Sequence, residues 1–256
     1  MKSRRTLAAA VLLSLLGAGS FYLATQSPVS QAAAEPTLEE LLNATDDVNR
    51  GESSYSVVEM QVKTARYERS MKMEAWSQGE EKSLIRILEP AKDAGTVTLK
   101  VDDDMWNYLP KVDRTMKVPP GMMGGSWMGS HFSNDDLVKS NRLADEYTYE
   151  LSEKKDGVYT ITCTVKPDAA VVWGKVVVQV REDLIPVSVA YFDEDGTLAR
   201  TMTFTDVQDM DGRKMPVTMT LIPADKPEEY TRIVTRQIDF DVEIDPKTFT
   251  LQALKE

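Results

Sequence analysis

The chain is 256 residues long, 42% hydrophobic, with 41 acidic against 30 basic residues and a formal charge of −11. So acidic a chain argues against nucleic acid and anionic lipid surfaces as partners, because both would repel it. A single cysteine, Cys163, excludes an internal disulfide, and a single histidine, His131, excludes multi-histidine and Cys/His metal sites.

Lys2, Arg4 and Arg5 precede an apolar run from Leu7 to Ala24, after which QAAAEP places Ala32 and Ala34 as an A-x-A cleavage site. This is the pattern of a secretory signal peptide over residues 1–34. An uncleaved anchor is the alternative, because about 18 apolar residues approach the lower limit for a membrane span. Ser3, Arg4 and Arg5 form only part of a twin-arginine signal, which leaves the export route open. Cleavage would remove three of the 30 basic residues and none of the 41 acids, making the remaining chain still more acidic. Residues 35–256 carry no linker-like stretch and are expected to form one domain.

That domain begins with an amphipathic helix. Thr37 is its N-cap, Glu40 completes a capping box, and Leu38, Leu41, Leu42, Thr45 and Val48 share one face before Gly51. From Tyr55 the apolar period changes to two, with Val58, Met60 and Val62, then Met71, Met73 and Ala75, then SLIRIL. Further strands are predicted at GTVTLKV, DMWNYLP, RTMKV, EYTYELSEK, GVYTITCTV, GKVVVQVRE, IPVSVAYF, LARTMTFTDV, KMPVTMTLI and RIVTRQIDF. Cys163 alternates with Tyr159, Ile161 and Val165 on one strand face, the position of an inert buried thiol. The joints KKDG, DEDG and DMDG supply glycines for tight reversals, which favours an antiparallel meander. No strand-helix-strand units recur, so a dinucleotide fold is excluded. The expected architecture is an incomplete antiparallel β-barrel of about 11–12 strands. The N-terminal helix and a short helix with its loop are expected to cover the concave face and enclose a cavity.

No catalytic constellation emerges, and the expectation is a protein that is not an enzyme. GGSWMG misses the nucleophile-elbow spacing by one residue, and no Gly-Lys-Ser/Thr follows it to make a phosphate loop. His131 reads as a loop histidine bonded to nearby backbone. Asp102, Asp103 and Asp104 read as a solvated turn, and Asp135 with Asp136 complement the positive end of a short helix capped at Ser133. What stands out is soft and apolar. The segment from Pro119 to Leu137, PPGMMGGSWMGSHFSNDDL, puts Met122, Met123, Trp127, Met128 and Phe132 into a loop. A solvated loop gains nothing from such side chains, so they fill the barrel, cover it as a lid, or meet a partner. Methionines at Met60, Met71, Met73 and Met219 fit either ordinary core or an adaptable apolar lining. Lys111, Arg114 and Lys117 lead into the loop as a basic patch, either a solvated hairpin or a contact for acidic head groups.

Trp106, Tyr108, Leu109 and Pro110 form a W-x-Y-L-P block. Ser126, Met128, Gly129, Phe132, Ser133, Asp135, Asp136 and Leu137 form S-x-M-G-x-x-F-[ST]-x-[DE]-D-L. In this order, followed by PDAAVVWGKVVVQVRED, IPVSVAYFDEDGTLARTMTFTDV and DPKTFTLQAL, they resemble the LolA-like family of outer-membrane lipoprotein-sorting proteins from about Leu38 to the C-terminus. His131 departs from that pattern, standing where an aspartate is expected. The resemblance implies a periplasmic, partly open β-barrel holding lipid or the acyl chains of a lipoprotein, without a cofactor and with only transient membrane contact. Cargo contacts are then expected from Trp106, Tyr108, Met122, Met123, Trp127, Met128, Phe132, Leu137, Met71 and Met73, and head-group or partner contacts from Lys111, Arg114 and Lys117. With no nucleotide motif in the chain, energy for loading would come from a membrane partner, an inner-membrane transporter. The alternative is a periplasmic adaptor subunit whose apolar loop docks on a membrane complex.

Overall fold

The computed structural model describes residues 35–138, 143–169 and 171–255, and the predicted signal peptide lies outside them. Helix α1 spans Leu38–Asp46 and opens on the predicted capping box: Glu40 N–H donates to Thr37 Oγ1 at 3.2 Å, and Thr37 N–H donates to the Glu40 carboxylate at 2.7 Å. Leu41 and Leu42 are fully buried, each contributing about 1.5–3 kcal/mol of hydrophobic stabilisation.

Six strands follow: β1 (Ser53–Lys63), β2 (Glu68–Gln78), β3 (Lys82–Glu89), β4 (Val97–Val101), β5 (Asp104–Leu109) and β6 (Arg114–Lys117). After the loop come helices α2 (Asn134–Val138) and α3 (Leu143–Glu146). The remaining strands are β7 (Tyr147–Lys155), β8 (Val158–Val165), β9 (Lys175–Arg181), β10 (Pro186–Phe192), β11 (Leu198–Met210), β12 (Arg213–Pro223) and β13 (Tyr230–Phe240). Every segment read as a strand is one, and the described residues hold thirteen strands against the expected count of about 11–12. The four-residue β6, largely exposed, has the weakest alternation of them all.

All thirteen strands join one open antiparallel sheet in the order β6-β5-β4-β3-β2-β1-β13-β12-β11-β10-β9-β8-β7. Two meanders therefore meet at its centre, where β1 pairs with β13. Two of the predicted reversals are two-residue turns with both residues at positive φ, Asp156 and Gly157 (51° and 75°) and Asp211 and Gly212 (50° and 76°). That geometry matches the twist of the flanking strands and selects Asp-Gly.

Alternation gives the sheet an inner and an outer face. On one half of the inner face α1 and α3 cover β7 to β11, with Leu41, Leu42 and Leu143 against Tyr147, Ile161 and Val178. Cys163 is fully buried in this cluster, and burial, aided by the Asp46 charge, pushes its thiol up to about 12. On the other half the loop and α2 cover β1 to β5, with Trp127 and Val138 against Met60, Met71, Met73 and Met105. The outer face of β3 and β4 is covered by the C-terminal turns, where Phe249, Ala253 and Leu254 pack on Leu84, Val97 and Leu99. No helix among the described residues is long and apolar enough to cross a membrane.

Candidate functional site

The loop is seated on the sheet by hydrogen bonds as much as by its apolar side chains. Trp127 N–H donates to Phe132 O at 2.7 Å, Ser130 Oγ donates to Trp127 O at 2.7 Å, and Ser126 bridges to Ser133, so the segment closes on itself. Met128 (φ 50°) and Gly129 (φ 70°) make the reversal. Glycine suits position 129, because its φ lies in the left-handed region and a Cβ there would press to 2.9 Å on the hydroxyl of Tyr67, which donates to Gly129 O. The turn drives Trp127 inward until it is 4% exposed. Its indole N–H donates to Thr98 Oγ1 at 3.1 Å, and Thr98 in turn donates to Asn107 Oδ1 at 2.7 Å. Both partners stand on inner-face positions of β4 and β5, so the sheet supplies a polar socket for the one polar atom of a buried ring.

His131 ties the same loop to the start of β13. Its backbone N–H donates to Thr231 Oγ1 at 3.0 Å, its Nδ1 lies 2.9 Å from that oxygen, and its Nε2 lies 3.1 Å from Glu229 Oε2. The other Glu229 oxygen accepts Ala65 N–H at 2.9 Å, bringing in the β1–β2 turn. The backbone bond from Ala65 and then the one from His131 hold the Glu229 carboxyl below its ordinary value. An aspartate at 131 would set a second carboxylate against Glu229, so the departure from the family pattern has a local partner.

Helix α2 carries the second anchor. Ser133 and Asp136 cap it reciprocally, Ser133 N–H donating to Asp136 Oδ2 at 2.8 Å and Asp136 N–H to Ser133 Oγ at 3.1 Å. Asp136 also receives Arg200 of β11 in a fork, with Nη1 to Oδ2 at 2.7 Å and Nη2 to Oδ1 at 2.5 Å. Arg200 is 8% exposed, and its guanidinium lies 4.6 Å from the Trp173 ring centre and 4.5 Å from that of Tyr191. Burial alone would raise the Asp136 carboxyl, but the bonds and charge of Arg200 outweigh it and hold the group below the usual carboxylate range.

Two adjoining cavities lie under this cover, both bordered by Asn49, Phe132, Asp136 and Met219. The apolar one measures 240 Å³ and is lined by Val58, Met73, Ile85, Trp127, Leu137 and Ile233 among others. The other measures 210 Å³ and is mixed, setting Asp46, Arg50 and Arg200 beside Leu143, Val189, Tyr191 and Phe204. Taken together they enter the range of about 300–1,000 Å³ usual for small-ligand sites. Among the described residues no cluster of His, Cys, Asp or Glu is arranged to hold a metal ion.

The residues singled out from sequence divide between these places. Met71, Met73, Met123, Trp127, Met128 and Leu137 gather in the loop cluster, and Phe132 borders both cavities. Trp106 and Tyr108 stand on the outer face with the C-terminal turns, because Met105 beside them points inward and neighbours on a strand point opposite ways. Met122 is 63% exposed at the loop tip. Lys111, Arg114 and Lys117 are exposed on the β5–β6 hairpin at the sheet edge and line neither cavity, and Lys117 is paired with Asp104 at 2.7 Å. Sequence reading missed Asp46, Asn49 and Arg200. For Arg200 a signal existed, since it alternates with Met202 and Phe204 on the inward face of its strand.

Asp46, near the end of α1, accepts the Leu143 N–H at 3.0 Å. Burial pushes its carboxyl up to about 7 despite that bond and the charge of Arg50, with Asp47 and Glu80 adding to the rise. A folded-state value above the unfolded one means stability is fully present below about pH 4 and is lost as pH rises through about 7. Asp46→Asn keeps an acceptor for Leu143 and removes the ionisation. Wild type is therefore expected to lose up to about 1.4 kcal/mol per pH unit relative to Asp46→Asn between those limits. Urea denaturation of both proteins at pH 5, 6, 7 and 8 reads this, and parallel pH profiles would contradict it.

The comparisons with known proteins agree with this architecture. A family model described as that of an uncharacterized protein matches residues 79–256. No curated protein matches the sequence. Among solved structures, a DUF1329 family protein from Desulfovibrio piger is 26% identical, with a TM-score of 0.74 over 84% of this chain and 97% of that one. An outer membrane lipoprotein-sorting protein domain from Vibrio parahaemolyticus is 23% identical, with a TM-score of 0.71 over 85% and 98% of the two chains. A LolA superfamily protein from Nitrosomonas europaea is 20% identical, with a TM-score of 0.70 over 85% and 99%. The chain belongs to the uncharacterized-protein family whose model it matches over residues 79–256, and its fold is similar to those of the DUF1329 family protein and the LolA superfamily protein.

Proposed function

We propose that this protein is a non-enzymatic periplasmic carrier of lipid or of lipoprotein acyl chains. The observation that carries the reading is the pair of adjoining cavities of 240 and 210 Å³ beneath the loop and α2, one apolar and one of mixed lining with charged groups at its edge, an arrangement that suits an amphiphile. Supporting it are the LolA superfamily fold and the names of its neighbours, a lipoprotein-sorting domain among them. An acyl chain of 16 carbons costs about 12 kcal/mol to hold in water at about 0.8 kcal/mol per methylene, so it travels between membranes only when covered. Met73, Met202 and Met219 give the lining side chains that adapt to irregular chains and hold them loosely enough to release. With no nucleotide motif in the chain, loading draws its energy from a membrane partner, of which an inner-membrane transporter is the natural kind.

Purification of the protein from its own cells under native conditions, followed by mass spectrometry of what it carries, tests the reading. Lipid or acylated protein recovered in stoichiometric amount is the expected result. Repeated recovery of empty protein that also ignores added lipid would sink it. One observation favours the adaptor reading instead: Met122 projects from the loop at 63% exposure, near Met116 and Val112 in the chain, which are also exposed. Empty protein that co-purifies with a membrane complex, and loses it on Met122→Glu, is the outcome that would establish that role.

A further inference from the structure

The charge of the mixed cavity hangs on a single proton. Four charged side chains line it, Asp46, Arg50, Asp136 and Arg200, and the last two are closed on each other by their fork. Asp46 and Arg50 are both half-buried, so each keeps surface that a ligand can touch. Arg50 has no ion pair or side-chain hydrogen bond among the described residues, and on the lining its charge is offset by that of Asp46 alone. With Asp46 ionised, two cations stand against two anions, and a charged head of either sign gains nothing. With Asp46 protonated, one positive charge is left over at Arg50, and the head that balances it is an anion. Burial pushes the Asp46 carboxyl up to about 7, so both states are populated near neutrality. Leu143 N–H donates to Asp46 Oδ2 at 3.0 Å, which leaves Oδ1 to carry the proton. The other groups around Asp46 favour that proton or are silent. Asp47 and Glu80 add negative charge, while Cys163 and Tyr191, raised by burial, stay neutral through this range. Lys100, which also feels the charge of Arg50, faces Glu80, Glu81 and Asp103. Arg50 directly follows Asn49, a residue common to both cavities, so it stands beside the place where a chain in the apolar cavity would end.

Resting on the carrier reading, we propose that the mixed cavity is a proton-linked site for acidic amphiphiles, whose apolar chain fills the apolar cavity while the anionic head sits against Arg50 and is taken up together with one proton on Asp46. The head is a carboxylate or a phosphate, since a guanidinium accepts either. Arg50 is the residue that selects the anion, and Asp46 acts through its charge on the cavity. An anion at Arg50 removes the cation that favours an ionised Asp46, so ligand and proton bind cooperatively. Affinity for the acid is therefore fully present below about pH 7 and falls by up to about tenfold per unit above it.

The test is calorimetric titration of the protein at pH 6.5 and 8.5 with four ligands of equal chain length. Dodecanoate and dodecyl phosphate are the two acids, dodecanol is the neutral control and dodecyltrimethylammonium the cationic one. At pH 6.5 at least one acid is expected to bind about tenfold tighter than both controls, and which one does so identifies the head. That acid is expected to bind about tenfold more weakly at pH 8.5, while dodecanol is unchanged. Titrations at pH 7.5 in buffers of different ionisation enthalpy are expected to show most of one proton taken up with the acid. In Arg50→Met the acid falls to within about twofold of dodecanol, and in Asp46→Asn it binds equally at both pH values and takes up no proton. Equal affinity for all four ligands, or a preference for the cation, would overturn the site and leave the carrier reading standing. Binding of none would overturn both. A preference for the acid without pH dependence or proton uptake would overturn the link to Asp46, and one that survives Arg50→Met would overturn the role of Arg50. The wild-type titrations decide the matter even where a variant does not fold.

Discussion

Trp127→Ala is expected to lower stability by about 3–5 kcal/mol, the usual cost of deleting a buried tryptophan, and to produce the largest loss of any single substitution in the loop. The ring is 4% exposed among Met60, Met71, Met73 and Met105, and its N–H donates to Thr98. Two costs add: the cavity left among the methionines, and the Thr98–Asn107 pair without its donor. Trp127→Phe separates them, since it keeps most of the volume and loses the hydrogen bond, a change of about 1 kcal/mol. Chemical denaturation of the three proteins measures both steps. If alanine cost less than about 1 kcal/mol, the loop would be a surface flap and not a seated element, and the apolar cavity would lose one of its walls.

Breaking the Arg200–Asp136 fork from one side is the second large effect. Arg200→Met leaves Asp136 buried without its cation, and Asp136→Leu strands Arg200 between Trp173 and Tyr191; each is expected to cost about 3–5 kcal/mol. The double variant is expected to cost less than either single one, because it removes both charges together, although the capping bond from Ser133 N–H to Asp136 is lost, worth about 1 kcal/mol. A double-mutant cycle by denaturant titration gives the coupling directly, and additive losses would mean the pair is solvated in solution. The depressed Asp136 carboxyl adds a pH signature of the opposite sign to that of Asp46. Its contribution is present above about pH 4 and is lost as pH falls through its lower folded value, and Arg200→Met removes that acid sensitivity.

How far these features are legible in the sequence depends on their range along the chain. The strands are legible because alternation is a property of five to ten neighbouring residues, and the capping boxes at Thr37 and Ser133 because they span three. The apolar loop signalled its own burial, since Trp127 and Met128 in a glycine-rich segment need an apolar seat. What alternation also carried, and what a motif obscured, is the facing of Trp106 and Tyr108: the block W-x-Y-L-P groups residues by spacing, while Met105 next to them decides which face they take. The cover over the outer face was not legible, because Phe249, Ala253 and Leu254 lie in short 3-10 turns with neither period. Arg200 could be placed inward from sequence, but its partner lies 64 residues away, and no local pattern links the two. The same holds for Asp46, whose bond to Leu143 spans 97 residues.

The pairing of β1 with β13 has a consequence for the birth of the molecule. Every other neighbouring pair in the sheet is consecutive in the chain, so each can zip as soon as its second strand is made. The ten residue pairs from Ser54–Phe240 to Lys63–Tyr230 are the exception, and they form the midline. At about 5–20 residues per second, β13 emerges on the order of 10 s after β1. Throughout that interval the inner methionines of β1 and β2 lack half of their surroundings, and β1 offers a bare hydrogen-bonding edge to any strand that meets it. The molecule is thus an early half waiting for a late seam, and the open edge of β1 is the place where a newborn chain of this design is most exposed to pairing with the wrong strand.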